Sequence, residues 1–366
     1  VSAKLRYTVD WARLADPKSF VSNVLGFPYD KLFDPKHGSP LYAHAEYDAK
    51  SKTMCPAAAE HWHARLLAPD ARSAAAGGIA STASSVVWTN PGVFFRHAPD
   101  FTAPVQGSLP DCHFISAMAS LAWADPFAFS HNLRPARQDD DIKPGGTFAR
   151  IPFYGGTGAA PTTVEVTEQL PLVEPGDVYQ YARSGHREET WPAVYEKAWV
   201  KWFTNASGDR PDYSRVTGGD PIADLVSLTG LTPSYANPAA MTGDQIWNDV
   251  RGHCRGSWTF DPMCACTYAS DTAAPWPLDF NSVGLVAWHC YAILGWQFAG
   301  GQKYIVLRNP WGYHEATADV DNGPWTSFDQ FDGGLIVGTL NLPQHGVFAL
   351  RADVFQQYFA GYGWVS

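Results

Sequence analysis

The sequence predicts an α+β protein, with two amphipathic helices in its first two thirds and its most regular strands late in the chain. Three observations carry that expectation. Apolar residues after Cys112 recur at helical spacing, at Phe114, Ala117, Met118 and Leu121. A second stretch does the same through Trp191, Val194, Tyr195, Ala198 and Trp202. The most regular β-formers come late, over 291–298 and 304–307, with Ala299-Gly300-Gly301-Gln302 between them as a hairpin loop.

The 366 residues leave room for two or three domains or subdomains. Hydrophobic residues at 45% against 17% charged exclude a disordered chain, and 32 Gly with 28 Pro imply many turns and long ordered loops. A net charge of −10 with no basic run argues against nucleic acid as a partner. No apolar stretch approaches the roughly 18 residues of a membrane span. The N-terminus lacks the charged-then-apolar layout of a secretion signal, so the expected location is cytoplasmic. Because the chain begins at Val1, a leader removed by processing makes secretion the alternative. Oligomeric state leaves no mark in the sequence.

In chain order, residues 1–85 read as an N-terminal extension: short apolar patches, a helix over 57–67, and an Ala/Gly/Ser linker over 73–85. His61 and His63 belong to the surface of that helix, since no carboxylate or cysteine completes a ligand set. The extension suits a propeptide, a cover for a cleft or a docking module. After the cysteine helix a polar, proline-rich loop runs to Pro144. Strands are expected at 148–153 and 162–166, with Gly155-Gly156 as the turn. Thr190 is placed to cap a helix running through Phe203. Thr217-Gly218-Gly219-Asp220 opens a turn, and a short helix over 223–228 is stopped by Gly230. A strand at 284–286, the hairpin, the apolar stretch Gly346-Val-Phe-Ala-Leu and an aromatic segment over 354–362 complete the chain.

Six cysteines in a chain this long do not make the disulfide framework of a small secreted domain. Cys264 and Cys266, with His253 and Cys254 upstream, lack the paired two-residue spacings of zinc ligands and read as core thiols or a local disulfide. Asn205-Ala206-Ser207 has the form of a glycosylation acceptor, a triplet common by chance.

Chemistry concentrates around Cys112. Gly107, Ser108 and Pro110 make a turn, and Pro110 and Asp111 suit the first positions of a helix, because a carboxylate there meets unpaired amides and proline has none to lose. A helix N-terminus and a paired imidazolium can lower a cysteine pKa from about 8.5 to roughly 3–4, yielding a thiolate nucleophile. Alone, one cysteine is as readily a small core residue. The hairpin supplies the second half. Residues equidistant from its turn pair across it, so His289 at the start of one strand lies near Asn309 at the end of the other. An imidazole oriented by an amide oxygen is the base that a thiol nucleophile needs.

Gln106-Gly-Ser-Leu-Pro-Asp-Cys112, Gly284-Leu-Val-Ala-Trp-His289-Cys-Tyr and Leu307-Arg-Asn309-Pro-Trp-Gly312 resemble, in order and spacing, the catalytic blocks of calpain-type cysteine proteases. Further similarity lies in Trp191-Pro-Ala-Val-Tyr-Glu-Lys-Ala-Trp199, Thr217-Gly-Gly219, and Gly346-Val-Phe with Phe355. The resemblance covers about 86–366. It implies a papain-like core: a mainly helical first subdomain, 86–216, carrying Cys112, and a β subdomain, 217–366, carrying His289 and Asn309, with the cleft between them. It further implies that Gln106 helps form an oxyanion hole and that Trp311 shields the Cys–His pair. The substrate is then a protein or peptide, cleaved through a thioester, and no cofactor is required for the chemistry. A catalytically silent scaffold that binds a protein partner, or an acyl transferase using the same thioester, are the alternatives.

Three residues depart from the family pattern: Pro110 and Trp288 stand where glycine is usual, and His113 where an aromatic is usual. A helix turns successive side chains about a hundred degrees apart, so His113 should face away from Cys112. Calcium-binding relatives place an acid shortly before the glutamine, where this chain has Ala103-Pro104. Glu315, Asp319 and Asp321, in the loop 315–321, offer oxygen ligands instead.

Overall fold

Thirteen residues, Cys112–Ala124, form the helix against which the rest of the fold is arranged. Instead of one apolar face it buries every residue from His113 to Ala124. Phe114, Ile115, Ala117, Met118, Leu121 and Ala122 enter one apolar cluster, while Ala119 and Trp123 enter another shared with Trp258, Leu294 and Val306. The two serines on the sheet side are satisfied by strand backbone. Ser116 Oγ donates to the Cys290 carbonyl at 2.9 Å, and Ser120 Oγ accepts from the Met263 amide at 2.7 Å. Small hydroxylated residues thus let helix and sheet approach without leaving a buried polar atom unpaired.

The computed structural model describes residues 86–366 apart from 97, 130–132, 136–146, 174–177, 187, 217, 314–326, 333–334 and 342–344, with backbone alone for 327–341 and for the antiparallel strands Ala45–Asp48 and Thr53–Pro56. The expected helix over 57–67 with His61 and His63, the linker over 73–85, Thr217, and Glu315, Asp319 and Asp321 lie outside the described residues.

The sheet facing the cysteine helix is antiparallel, in the order Pro233–Ala236, Phe359–Val365, Trp258–Thr267, Cys290–Ala299, Gln302–Arg308 and Val347–Arg351, with Cys254–Arg255 paired onto Trp258–Thr267. The expected hairpin is its centre, closed by the turn at Gly300-Gly301, where both glycines have positive φ. Its strands pair from Ala299 with Gln302 back to Ala292 with Arg308, slipping once between Ile293 and Gly295.

The first half carries more β-structure than a mainly helical reading allows. Leu133–Pro135, Thr147–Tyr154 and Pro161–Thr167 form one antiparallel sheet, and Val86–Thr89, Leu170–Val173 and Val178–Tyr179 another. Their inner faces pack on the helix Trp191–Phe203 and on Pro221–Thr229, which Gly230 ends at φ 68°. Two local expectations change. Thr190 makes no cap; its hydroxyl donates to the Val93 carbonyl at 3.1 Å, tying the helix start to an upstream loop. Residues 284–286 are not a strand, because side chains satisfy their backbone: Val286 N–H donates to Tyr291 Oη at 3.0 Å and its carbonyl accepts from Thr267 Oγ1 at 2.7 Å. The aromatic segment divides into a helix, Ala352–Tyr358, and the strand Phe359–Val365.

Candidate active site

The nucleophile candidate is delivered by a tightly held turn. Gln106 N–H donates to the Pro310 carbonyl at 2.9 Å, which joins this turn to the segment just after Asn309. At Gly107 a Cβ would lie 2.1 Å from the Tyr181 carbonyl oxygen, so only glycine lets the chain pass. Gln106 Nε2 donates one hydrogen to the Leu109 carbonyl at 2.8 Å, leaving the amide a second hydrogen. Asp111 occupies the position before the helix but does not cap it with its side chain. Its carboxyl is fully buried against that of Glu196, and burial holds both above the ordinary carboxylate range. Two carboxyls in contact attract only when one carries the proton, so the pair shares it. Glu196 is anchored in turn by the Ala182 amide, 3.1 Å from each of its oxygens.

This environment reverses the expectation of a lowered Cys112 pKa. Burial, aided by the Asp111 charge, pushes the thiol up to about 11, outweighing the stabilising contact with the Cys290 backbone. The helix N-terminus is present, but desolvation of a thiolate costs more than that partial charge returns.

The hairpin brings His289 and Asn309 together. His289 Nε2 lies 3.0 Å from Asn309 Oδ1, and the same oxygen accepts the Trp311 amide at 3.0 Å. An amide oxygen only accepts, so Nε2 carries the hydrogen and Nδ1 is the basic nitrogen. Thr267 holds the His289 backbone from both sides: its hydroxyl accepts the His289 amide at 3.0 Å, and its own amide donates to the His289 carbonyl at 2.9 Å. The Trp311 ring lies 4.7 Å from the imidazole, centre to centre, and is partly buried. Cys290, the residue after His289, is the one whose backbone meets the Cys112 thiol, so the two chain segments converge there.

Sequence reasoning missed Thr267 and the shared carboxyl pair. Neither has a local signal, because each depends on a partner far away in the chain. His113 turns from the nucleophile as expected: its Nδ1 pairs with Asp224 Oδ2 at 2.5 Å, and although burial lowers its pKa, that carboxylate raises it more. The cysteine expectation resolves differently for each residue. Cys266 is disulfide-bonded to Cys290 on the adjacent strand, Cys264 is buried, and Cys254 Sγ donates to the Val250 carbonyl at 3.1 Å. Strand register selects Cys290 as the partner, since it lies directly opposite Cys266.

Around Ala103 the residues do not fit a calcium ion. The Thr102 and Pro104 carbonyls accept Arg308 Nη2 at 3.1 and 2.8 Å, so a guanidinium already meets these oxygens. The nearby acid, Asp100, is engaged by the Thr102 and Ala103 amides and by His186.

Residues 71–361 match the sequence profile of the calpain family cysteine proteases. Among characterised proteins, a thiol protease of Porphyromonas gingivalis is 24% identical over 273 residues, covering 70% of this chain and 53% of its own length. The calpain clp-1 of Caenorhabditis elegans is 26% identical, covering 66% of this chain and 29% of its own length. Calpain-9 of Rattus norvegicus is 28% identical, with 66% and 33% covered. The chain thus spans about half the length of the first relative and about a third of the others.

Proposed function

Because the chain belongs to the calpain family of cysteine proteases, we propose that it is an endopeptidase in which Cys112, His289 and Asn309 act as nucleophile, base and orienting amide. The observation that carries this reading is the His289 Nε2–Asn309 Oδ1 contact at 3.0 Å, on a strand whose next residue meets the Cys112 thiol. The sulfur attacks the peptide carbonyl while Nδ1 of His289 takes its proton. The imidazolium then gives that proton to the leaving amine, and a thioester remains. Water, deprotonated by the same nitrogen, hydrolyses the thioester and restores the thiol. Because burial keeps the resting thiol protonated, proton transfer accompanies the attack instead of preceding it. The second hydrogen of Gln106 Nε2 and the Cys112 N–H are the donors assigned to the carbonyl oxygen as it gains charge.

The test is cleavage of an unfolded protein substrate, with product masses read in the presence and absence of an added amine. Hydrolysis products that disappear in Cys112→Ala support the reading, and amine adducts would assign the chain to acyl transfer. The raised thiol pKa favours one other reading, a silent scaffold that binds a protein partner. Binding that persists in Cys112→Ser, with no alkylation of wild-type Cys112 up to pH 9, would establish it.

We assign residues 86–216 and 217–366 to the Cys-bearing and His-bearing subdomains. The Cys266–Cys290 cystine supports the secreted alternative over a cytoplasmic location, because such bonds persist in oxidising compartments. Recovery of the linked peptides from protein isolated under thiol-blocking conditions checks it; free thiols at both positions would return the chain to the cytoplasm.

A further inference from the structure

Trp288, immediately before His289, combines two costs that folding alone does not explain. Its backbone sits at φ 50°, a left-handed conformation that is strained for a bulky side chain and free of strain for glycine. Trp288 is 73% exposed, the most open large hydrophobic residue among the described residues. Strain held at one position beside reacting groups points to function there. Its backbone is firmly placed, since Trp288 N–H donates to the Tyr268 carbonyl at 2.9 Å.

The indole has a definite direction. Its Nε1 lies 4.0 Å from the point where a Cβ would stand on Gly218. Gly218 N–H donates to the Pro110 carbonyl at 3.1 Å, two residues before Cys112. The side chain therefore reaches from the base-bearing segment to the segment that feeds the nucleophile. At Gly219 a Cβ would fall 2.4 Å from the buried His113 ring, so this strip is glycine backbone lying against His113, without side chains of its own beside the indole.

We infer that Trp288 is a specificity-determining residue: with the floor at Gly218 its indole forms the wall of a subsite for an apolar or aromatic substrate side chain within two positions of the scissile bond. The inference rests on the proteolytic reading above. The left-handed backbone aims the ring across the cleft, and its exposed face is the apolar surface that a substrate side chain covers. A well-placed apolar contact of this kind discriminates by about tenfold to 200-fold in kcat/KM.

The test uses the full chain and paired peptides differing only in Phe or Ala at each position flanking the scissile bond, in wild type, Trp288→Gly and Trp288→Phe. One position is expected to show a Phe-over-Ala ratio of kcat/KM that falls at least tenfold in Trp288→Gly and is largely kept in Trp288→Phe. Thermal unfolding should show no loss of stability in Trp288→Gly, because glycine relieves the strained φ. An unchanged ratio, equal gains for both peptides, or a preference for Lys or Arg would overturn the inference. Binding of the same peptides to Cys112→Ala, with and without Trp288→Gly, separates the two claims. Discrimination in binding without cleavage in wild type would sink the proteolytic reading alone, and cleavage without Trp288-dependent discrimination would sink this one alone.

Discussion

At Cys112 the chemistry is set by what surrounds the sulfur. The thiol sits at the start of a helix, yet burial and the neighbouring Asp111 charge raise its pKa to about 11. Alkylation by iodoacetamide should therefore be slow at neutral pH and keep rising through pH 9, with no plateau near pH 4 of the kind an ion pair formed in advance gives. Asp111 and Glu196 contribute through their shared proton: Glu196→Gln, which keeps a donor facing Asp111, should be tolerated far better than Glu196→Ala, which leaves a buried carboxyl alone and should cost roughly 3 kcal/mol in denaturant unfolding.

A second residue pair gives the protein a pH dependence with a definite sign. Burial lowers the pKa of His186, but Asp100 raises it more, to about 9, above its ordinary 6.5. The folded state thus binds this proton more tightly than the unfolded chain does. The stabilisation is complete below pH 6.5 and is lost as the pH climbs through about 9. Thermal unfolding across that window should show a declining midpoint, and His186→Gln should flatten the slope.

Among the elements, the cysteine helix and the central strands are tied by side chains to backbone. Trp123 Nε1 donates to the Leu294 carbonyl at 2.6 Å, and Trp258 Nε1 donates to the Trp123 carbonyl at 3.2 Å. Trp123→Phe should lose about 1 kcal/mol for the hydrogen bond, and Trp123→Ala about 3–5 kcal/mol for the cavity, both read from urea unfolding. The turn before the helix is equally constrained. Gly107→Ala must push the chain away from Tyr181 and shift Gln106, so kcat should fall more than tenfold with a smaller change in KM. Much of this level was legible in advance, because hairpin spacing, helical periodicity and Gly230 act locally. The 284–286 loop and the idle Thr190 cap were not, since Thr267, Tyr291 and Val93 supply their bonds from outside the segment.

On the scale of the whole molecule, two apolar clusters meet along one helix, and the candidate groups lie where that helix begins and at the end of the central hairpin away from its turn. With Arg308 meeting the Thr102 and Pro104 carbonyls, stripping calcium with a chelator should leave the alkylation rate of Cys112 within about twofold. A larger loss would assign an ion to the loop of Glu315, Asp319 and Asp321. The sequence by itself determined the order of the blocks and the pairing of His289 with Asn309, because both follow from short-range spacing and hairpin geometry. Tertiary structure alone decided the protonation of Cys112, the partner of Cys266 and the direction of the Trp288 indole. Each depends on desolvation or on contacts between residues far apart in the chain, and neither leaves a periodic trace in sequence.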